Sequence, residues 1–148
     1  MANPNNQTTV SVRIPSARQI WAGLTVAVSD TAKEFVKSTL DKMAKSKPRG
    51  RVYYSKRKGF HRASAPGQRP AIDTTTLYKA VAYKVDRNQL EAVAFIKPLP
   101  NPENGVTAER YAEILQTQLN RKIMTKRDAS EFKKVLKANV QKVANRIG

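Results

Sequence analysis

A single histidine, His61, and a complete lack of cysteine leave this 148-residue sequence poorly supplied for chemistry. A histidine metal site or a histidine-activated nucleophile needs partner groups that the chain does not provide. No glycine-rich phosphate loop leads into a helix, and Ser64-Ala-Pro-Gly67 lacks the glycine that precedes the serine of a nucleophile elbow. The acids are scattered. Glu34 and Asp41 share one helical stretch and Glu113 lies on another, so no spacing pairs two carboxylates for acid–base work. Catalysis, a bound metal and a cofactor are therefore not expected, and His61 reads as a polar loop residue.

What the sequence does concentrate is positive charge. Lys and Arg number 28 against 11 acids, a net charge of +17, which speaks to partners rather than to fold. Between Asp41 and Asp73 there is no acid, while Lys42, Lys45, Lys47, Arg49, Arg51, Lys56, Arg57, Lys58, Arg62 and Arg69 all fall there. Tyr53, Tyr54 and Phe60 are interleaved with these cations. That composition suits a surface that tracks a polyanionic backbone and stacks on bases. A basic hairpin with its aromatics turned into a core would have the same composition, so the sequence leaves both readings open. Arg51, Tyr53, Tyr54, Lys56, Arg57, Lys58, His61, Arg62 and Arg69 are the candidate interaction residues, facing another subunit or DNA.

The elements that must position them follow from periodicity and punctuation. Ser16 can cap a helix in which Ile20, Leu24, Val28, Ala32, Phe35, Val36, Leu40 and Met43 recur at three- and four-residue steps, ending near Lys45. Trp21 is expected in the core or at an interface. Pro48, Gly50, Gly59, Pro66, Gly67 and Pro70 forbid a helix over 46–72. Val52-Tyr53-Tyr54 has strand character, and Lys56-Arg57-Lys58-Gly59 reads as a turn tip, so the stretch is predicted to be an extended basic loop or hairpin. Asp73 can cap a short helix over Thr74–Val81. Ala80–Val85 and Leu90–Ile96 form a hairpin across Asp86-Arg87-Asn88-Gln89. Thr107 can cap a helix over Val106–Leu119. The last helix is predicted to open on a capping pair of Asp128 with Glu131 and to bury Phe132, Leu136, Val140, Val143 and Ile147.

The predicted class is α+β: a long N-terminal helix, the basic extended loop or hairpin, a small antiparallel sheet and two C-terminal helices. Residues 16–148 form one domain with the basic loop at 46–72, and residues 1–15 are a flexible arm. A chain of this length buries roughly 70% of its unfolded surface, enough for a core without disulfides. The longest apolar-leaning stretch, Trp21 to Val28, is too short to span a bilayer, and no membrane partner is expected.

One stretch is more specific than its composition. Gly50-Arg-Val-Tyr53, then Phe60-His-Arg-Ala-Ser-Ala-Pro-Gly67, then Pro70-Ala-Ile-Asp-Thr74 and Leu77 resemble the signature of tailed-phage neck and tail-completion proteins of the minor tail protein Z type. Tyr111-Ala112 and Leu115-Gln116-Thr117 echo a later Tyr-Ala and Leu-Glu of that family. Thr75 stands where the family usually has glycine, and Gln116 replaces an acid. The resemblance implies a non-enzymatic structural protein of the virion, assembled in the host cytoplasm. It implies a homo-oligomeric ring on the particle axis at the head–tail joint. Its partners would be other neck, head-completion and tail-tube or terminator proteins, with genomic DNA passing through the channel. A basic nucleic-acid-binding protein from another setting is the alternative.

Overall fold

The computed structural model describes residues 14–56, 59–70, 75–102 and 105–147. The fold is α+β, and it is organised around one long helix. Helix α1 (Ala17–Ala44) starts at Ser16. The Ser16 hydroxyl accepts from the Gln19 N–H at 3.3 Å, and the Gln19 carboxamide accepts from the Ser16 N–H at 2.8 Å. Two helix-end donors are thereby satisfied reciprocally, with glutamine in the role more often taken by glutamate. At 28 residues, α1 runs about 42 Å at the standard rise.

Helix α4 (Lys126–Ile147) lies antiparallel along α1. The seam can be followed in pairs. A Cβ on Gly23 would come within 2.4 Å of Val143 Cγ1, so glycine is what lets the helices close there. The Asn139 amide donates to Thr31 Oγ1 at 3.0 Å, both residues being buried. Phe35 meets Phe132 edge to face, ring centres 5.1 Å apart. Lys42 reaches Asp128 and Glu131. The buried line on α4 therefore runs through Asp128, Asn139 and Val143. Val143 belongs to the predicted stripe, and Phe132, Leu136 and Ile147 are half-buried along it, but Val140 is exposed. Its neighbour Asn139 takes the inward place, because a buried amide needs a partner and finds it in Thr31.

The opening of α4 also differs from prediction. Thr125 caps the helix: its hydroxyl accepts from the Asp128 N–H at 3.3 Å, while the Asp128 carboxylate accepts from the Thr125 N–H at 2.6 Å. Asp128 thus sits three residues inside the cap, where its charge still favours the positive end of the helix dipole.

Helix α2 (Thr75–Ala80) runs directly into strand β3 (Val81–Asp86), which pairs antiparallel with β4 (Glu91–Ile96) from Val81↔Ile96 to Asp86↔Glu91. Asp73, its expected cap, lies outside the described residues. The Asp86 carboxylate accepts from the N–H groups of Asn88 and Gln89, an Asx turn that sets the bend. This sheet lies against α1. Helix α3 (Ala108–Thr117), capped by Thr107, closes over α2 and β4. Met43, Leu77, Val81, Ala112, Leu115 and Ile123 form the core between them, with Val36, Leu40, Ile96 and Met124 packed on its edge. Trp21 is not in that core. It is 47% exposed, and its indole N–H donates to the Arg87 carbonyl at 3.0 Å, tying the start of α1 to the β3–β4 turn.

Candidate interaction hairpin

The basic stretch forms a second, separate two-stranded sheet. Strands β1 (Val52–Ser55) and β2 (Gly59–Arg62) pair antiparallel as Val52↔Arg62, Tyr53↔His61, Tyr54↔Phe60 and Ser55↔Gly59. Gly59 has φ +65°, a conformation that suits glycine at the end of a tight turn. Alternation along the strands sorts the side chains. Val52, Arg62, Tyr54 and Phe60 share one face; Tyr53 and His61 share the other. Tyr54 and Phe60 meet edge to face at 5.3 Å, and Tyr53 and His61 lie tilted at 6.3 Å.

These side chains point outward rather than into a core. Tyr54 is 66% exposed and Phe60 80%, and Val52 and Tyr53 are also exposed. The two strands pack extensively only on each other. Among the described residues, no acid forms an ion pair with Arg49, Arg51, Lys56 or Arg62. Arg57 and Lys58 lie outside the described residues.

The foot of the hairpin, by contrast, is fastened. Gly50 N–H donates to the Ala63 carbonyl at 2.7 Å and Ala63 N–H to the Arg51 carbonyl at 2.9 Å, which extends the ladder below the strands. A Cβ on Gly50 would lie 2.5 Å from the Ser64 carbonyl oxygen, so the two chains cross too closely there for any other residue. The Gln68 carboxamide accepts from the N–H groups of Ala65 and Arg49 and donates to the Lys47 carbonyl. Gly67 N–H donates to the Asn120 carbonyl, and the Ser46 hydroxyl to that of Arg69.

Beneath this foot lies the most strongly perturbed titratable group among the described residues. Arg69 turns inward, its Nη2 donating to both oxygens of Asp128 at 3.0 and 2.9 Å and its Nη1 to the Ile123 carbonyl. Asp128, only 3% exposed, also accepts from Lys42 at 2.8 Å and from the Thr125 hydroxyl at 2.7 Å. Burial alone would raise its carboxyl. The hydrogen bonds from Lys42, Thr125 and Arg69 outweigh that and hold it well below the usual carboxylate range. Lys42 is correspondingly pushed up by its bonds to Asp128 and Glu131, and Lys42 holds Glu131 down. One carboxylate therefore joins α1, the foot of the hairpin and the start of α4.

The candidate residues thus divide. Arg51, Tyr53, Tyr54, Lys56, His61 and Arg62 belong to the projecting hairpin, whereas Arg69 serves its anchorage. Asp128 and Lys42 were not read from the sequence as part of the site. The Thr125–Asp128 spacing signals a cap, but nothing in the spacing brings positions 42, 69 and 128 together. Among the described residues, no group of three His, Asp or Glu side chains could hold a metal, and no helix is long and apolar enough to cross a membrane. Compared with known proteins, the chain matches no family model, no curated protein and no solved structure.

Proposed function

We propose that this chain is a non-enzymatic structural subunit of a tailed-phage particle, forming a ring at the head–tail joint and docking onto its neighbours through the basic hairpin. The observation that carries the reading is a firmly footed projection that holds Val52, Tyr54 and Phe60 in solvent among Arg and Lys. Large apolar side chains grouped at the surface mark an interaction site, and the surrounding cations select an acidic partner and speed its encounter. The residues that resemble the neck-protein signature support it. Gly50-Arg-Val-Tyr53 builds the close crossing and the first strand, and Phe60 to Gly67 builds the return strand and its tie to Asn120. The resembling residues from Gly50 to Gly67 therefore fall on one mechanical device, while Leu77 lies in the core. On this reading the protein resides in the virion after assembly in the host cytoplasm, among head-completion, tail-tube or terminator proteins.

Deleting residues 55–62 is expected to leave a folded monomer and to abolish joining of heads to tails in a complementation assay. Normal phage yield from that deletion would overturn the proposal. The exposed Tyr54 and Phe60 rings beside cations favour one second reading, stacking on single-stranded nucleic acid. That reading requires binding by the purified chain with a steep salt dependence, which Tyr54→Ala and Phe60→Ala would weaken.

A further inference from the structure

The sheet of β1 and β2 has no third strand. Its two strands pack extensively only on each other, and a two-stranded sheet lacking both a third strand and a packed face is marginal in water. An unpaired strand edge presents a row of backbone donors and acceptors that another strand can use. The register shows which groups those are. The Ala63 N–H donates to the Arg51 carbonyl, which makes Arg51 and Ala63 a hydrogen-bonded pair. Antiparallel ladders alternate, so Tyr53 and His61 bond to each other, whereas Val52 and Tyr54 turn their N–H and C=O groups away from β2. The rings agree: Tyr54 and Phe60, an unbonded pair, lie closer at 5.3 Å than Tyr53 and His61 at 6.3 Å. Of the two strands, β1 is the more open. Val52, Tyr53 and Tyr54 are exposed on both of its faces, whereas exposure alternates along β2 and His61 is partly covered.

Charge limits what can lie along that edge. Arg51 and Lys56 bracket β1, and the sequence holds no acid from Lys42 to Ile72. Side chains alternate across a strand, so an added strand sets apolar residues beside Val52 and Tyr54 on one face and acids toward Arg51 on the other. A second copy is a poor occupant. It carries +17 itself, and the acids in its described strands are Asp86 and Glu91 alone. The Tyr54 and Phe60 rings meet edge to face at 63°, which suits packing beside an added strand better than stacking successive bases on parallel platforms. We infer that a different protein supplies a third strand along β1, an extended segment in which acids alternate with β-branched residues. This rests on the docking role proposed above and names the partner's chemistry and its mode of attachment. Backbone pairing provides the affinity, and the alternating side chains provide the selectivity.

The probe is a capped peptide of about six residues, the usual length of a strand, alternating glutamate with valine. Added to the full-length chain, it is expected to perturb the NMR signals of the Val52 and Tyr54 amides more than those of Tyr53 and His61, and to slow exchange of the former pair. Methylating the backbone nitrogens on its pairing edge leaves its charge unchanged and should weaken binding about tenfold or more, since those hydrogen bonds can no longer form. Val52→Pro removes an outward N–H without touching the inner ladder, and it should weaken the peptide similarly while the Tyr54–Phe60 contact persists. If that variant loses the hairpin, the methylated peptide still decides. Equal binding of the methylated and parent peptides would overturn strand pairing, as would failure of the parent to bind at about 1 mM, the weak end of recognition. Tighter binding of a single-stranded oligothymidine would also overturn it and assign the hairpin to nucleic acid. If the peptide fails while deletion of residues 55–62 still abolishes head–tail joining, the pairing is lost and the docking role stands. If the peptide pairs but that deletion leaves phage yield normal, the pairing stands and the neck role falls.

Discussion

Replacing Asp128 by asparagine keeps the size of the side chain and removes the one charge on which α1, α4 and the hairpin foot converge. Removing one partner of a buried ion pair costs about 3–5 kcal/mol. Here the cost is smaller, because Lys42 is 33% exposed and keeps Glu131, and because asparagine can still accept the bond from the Thr125 N–H. Arg69, only 16% exposed, loses both carboxylate bonds and carries most of the penalty. The expected loss is about 2–3 kcal/mol, which for a domain of this size lowers Tm by roughly 4–12 °C. Circular-dichroism melts measure it, and amide exchange locates it: residues 46–70 should lose more protection than the middle of α1. The pH dependence gives an independent check on sign. A carboxyl held low in the folded state stabilises fully above its unfolded value near 4, and that stabilisation fades as pH falls toward the folded value. The gap between wild type and Asp128→Asn should therefore be widest at neutral pH and narrow steadily below about pH 4. A gap that stays constant down to pH 3, or an exchange pattern unchanged at the hairpin foot, would refute the claim that this carboxylate anchors the hairpin.

Three further outcomes are expected. Gly50→Ala should destabilise the hairpin, because the added carbon meets backbone and not a movable side chain; NMR should show lost cross-strand contacts between Val52 and Arg62 with the helical core intact. Asn139→Ala should cost about 1–3 kcal/mol by leaving the buried Thr31 hydroxyl without its donor, whereas Asn139→Leu with Thr31→Val should recover most of that in denaturant melts. Tyr54→Ser with Phe60→Ser should change stability by no more than about 0.5 kcal/mol, since both rings lie in solvent, yet should abolish head–tail joining in the complementation assay.

On the proposed docking role, the hairpin and its anchorage would divide the labour. Exposed rings provide contact area, but a mobile loop would lose rotamer and backbone freedom on binding. The fastening of Arg69 by Asp128, the Gln68 bridge and the close crossing at Gly50 set that freedom aside before any partner arrives.

Local chemistry was enough to place nearly every element. Ser16, Thr107 and the Asp86 turn act through bonds within four residues of themselves, and their effect can be read along the chain. Apolar periodicity likewise identified α1, and Val52-Tyr-Tyr with a glycine-ended basic tip identified the hairpin. Apart from the cap of α4, which is Thr125 and not the predicted Asp128, the failures concern pairings distant in sequence. That Asn139 is buried depends on Thr31, 108 positions away. That Trp21 is half exposed depends on a turn 66 positions away. Arg69 reads as one more surface cation until Asp128 is brought beneath it. Composition announces that a chain is basic and aromatic in one stretch. Which cations face solvent and which lock the structure is decided only when helices pack, because burial, not residue type, determines what a charge must pair with.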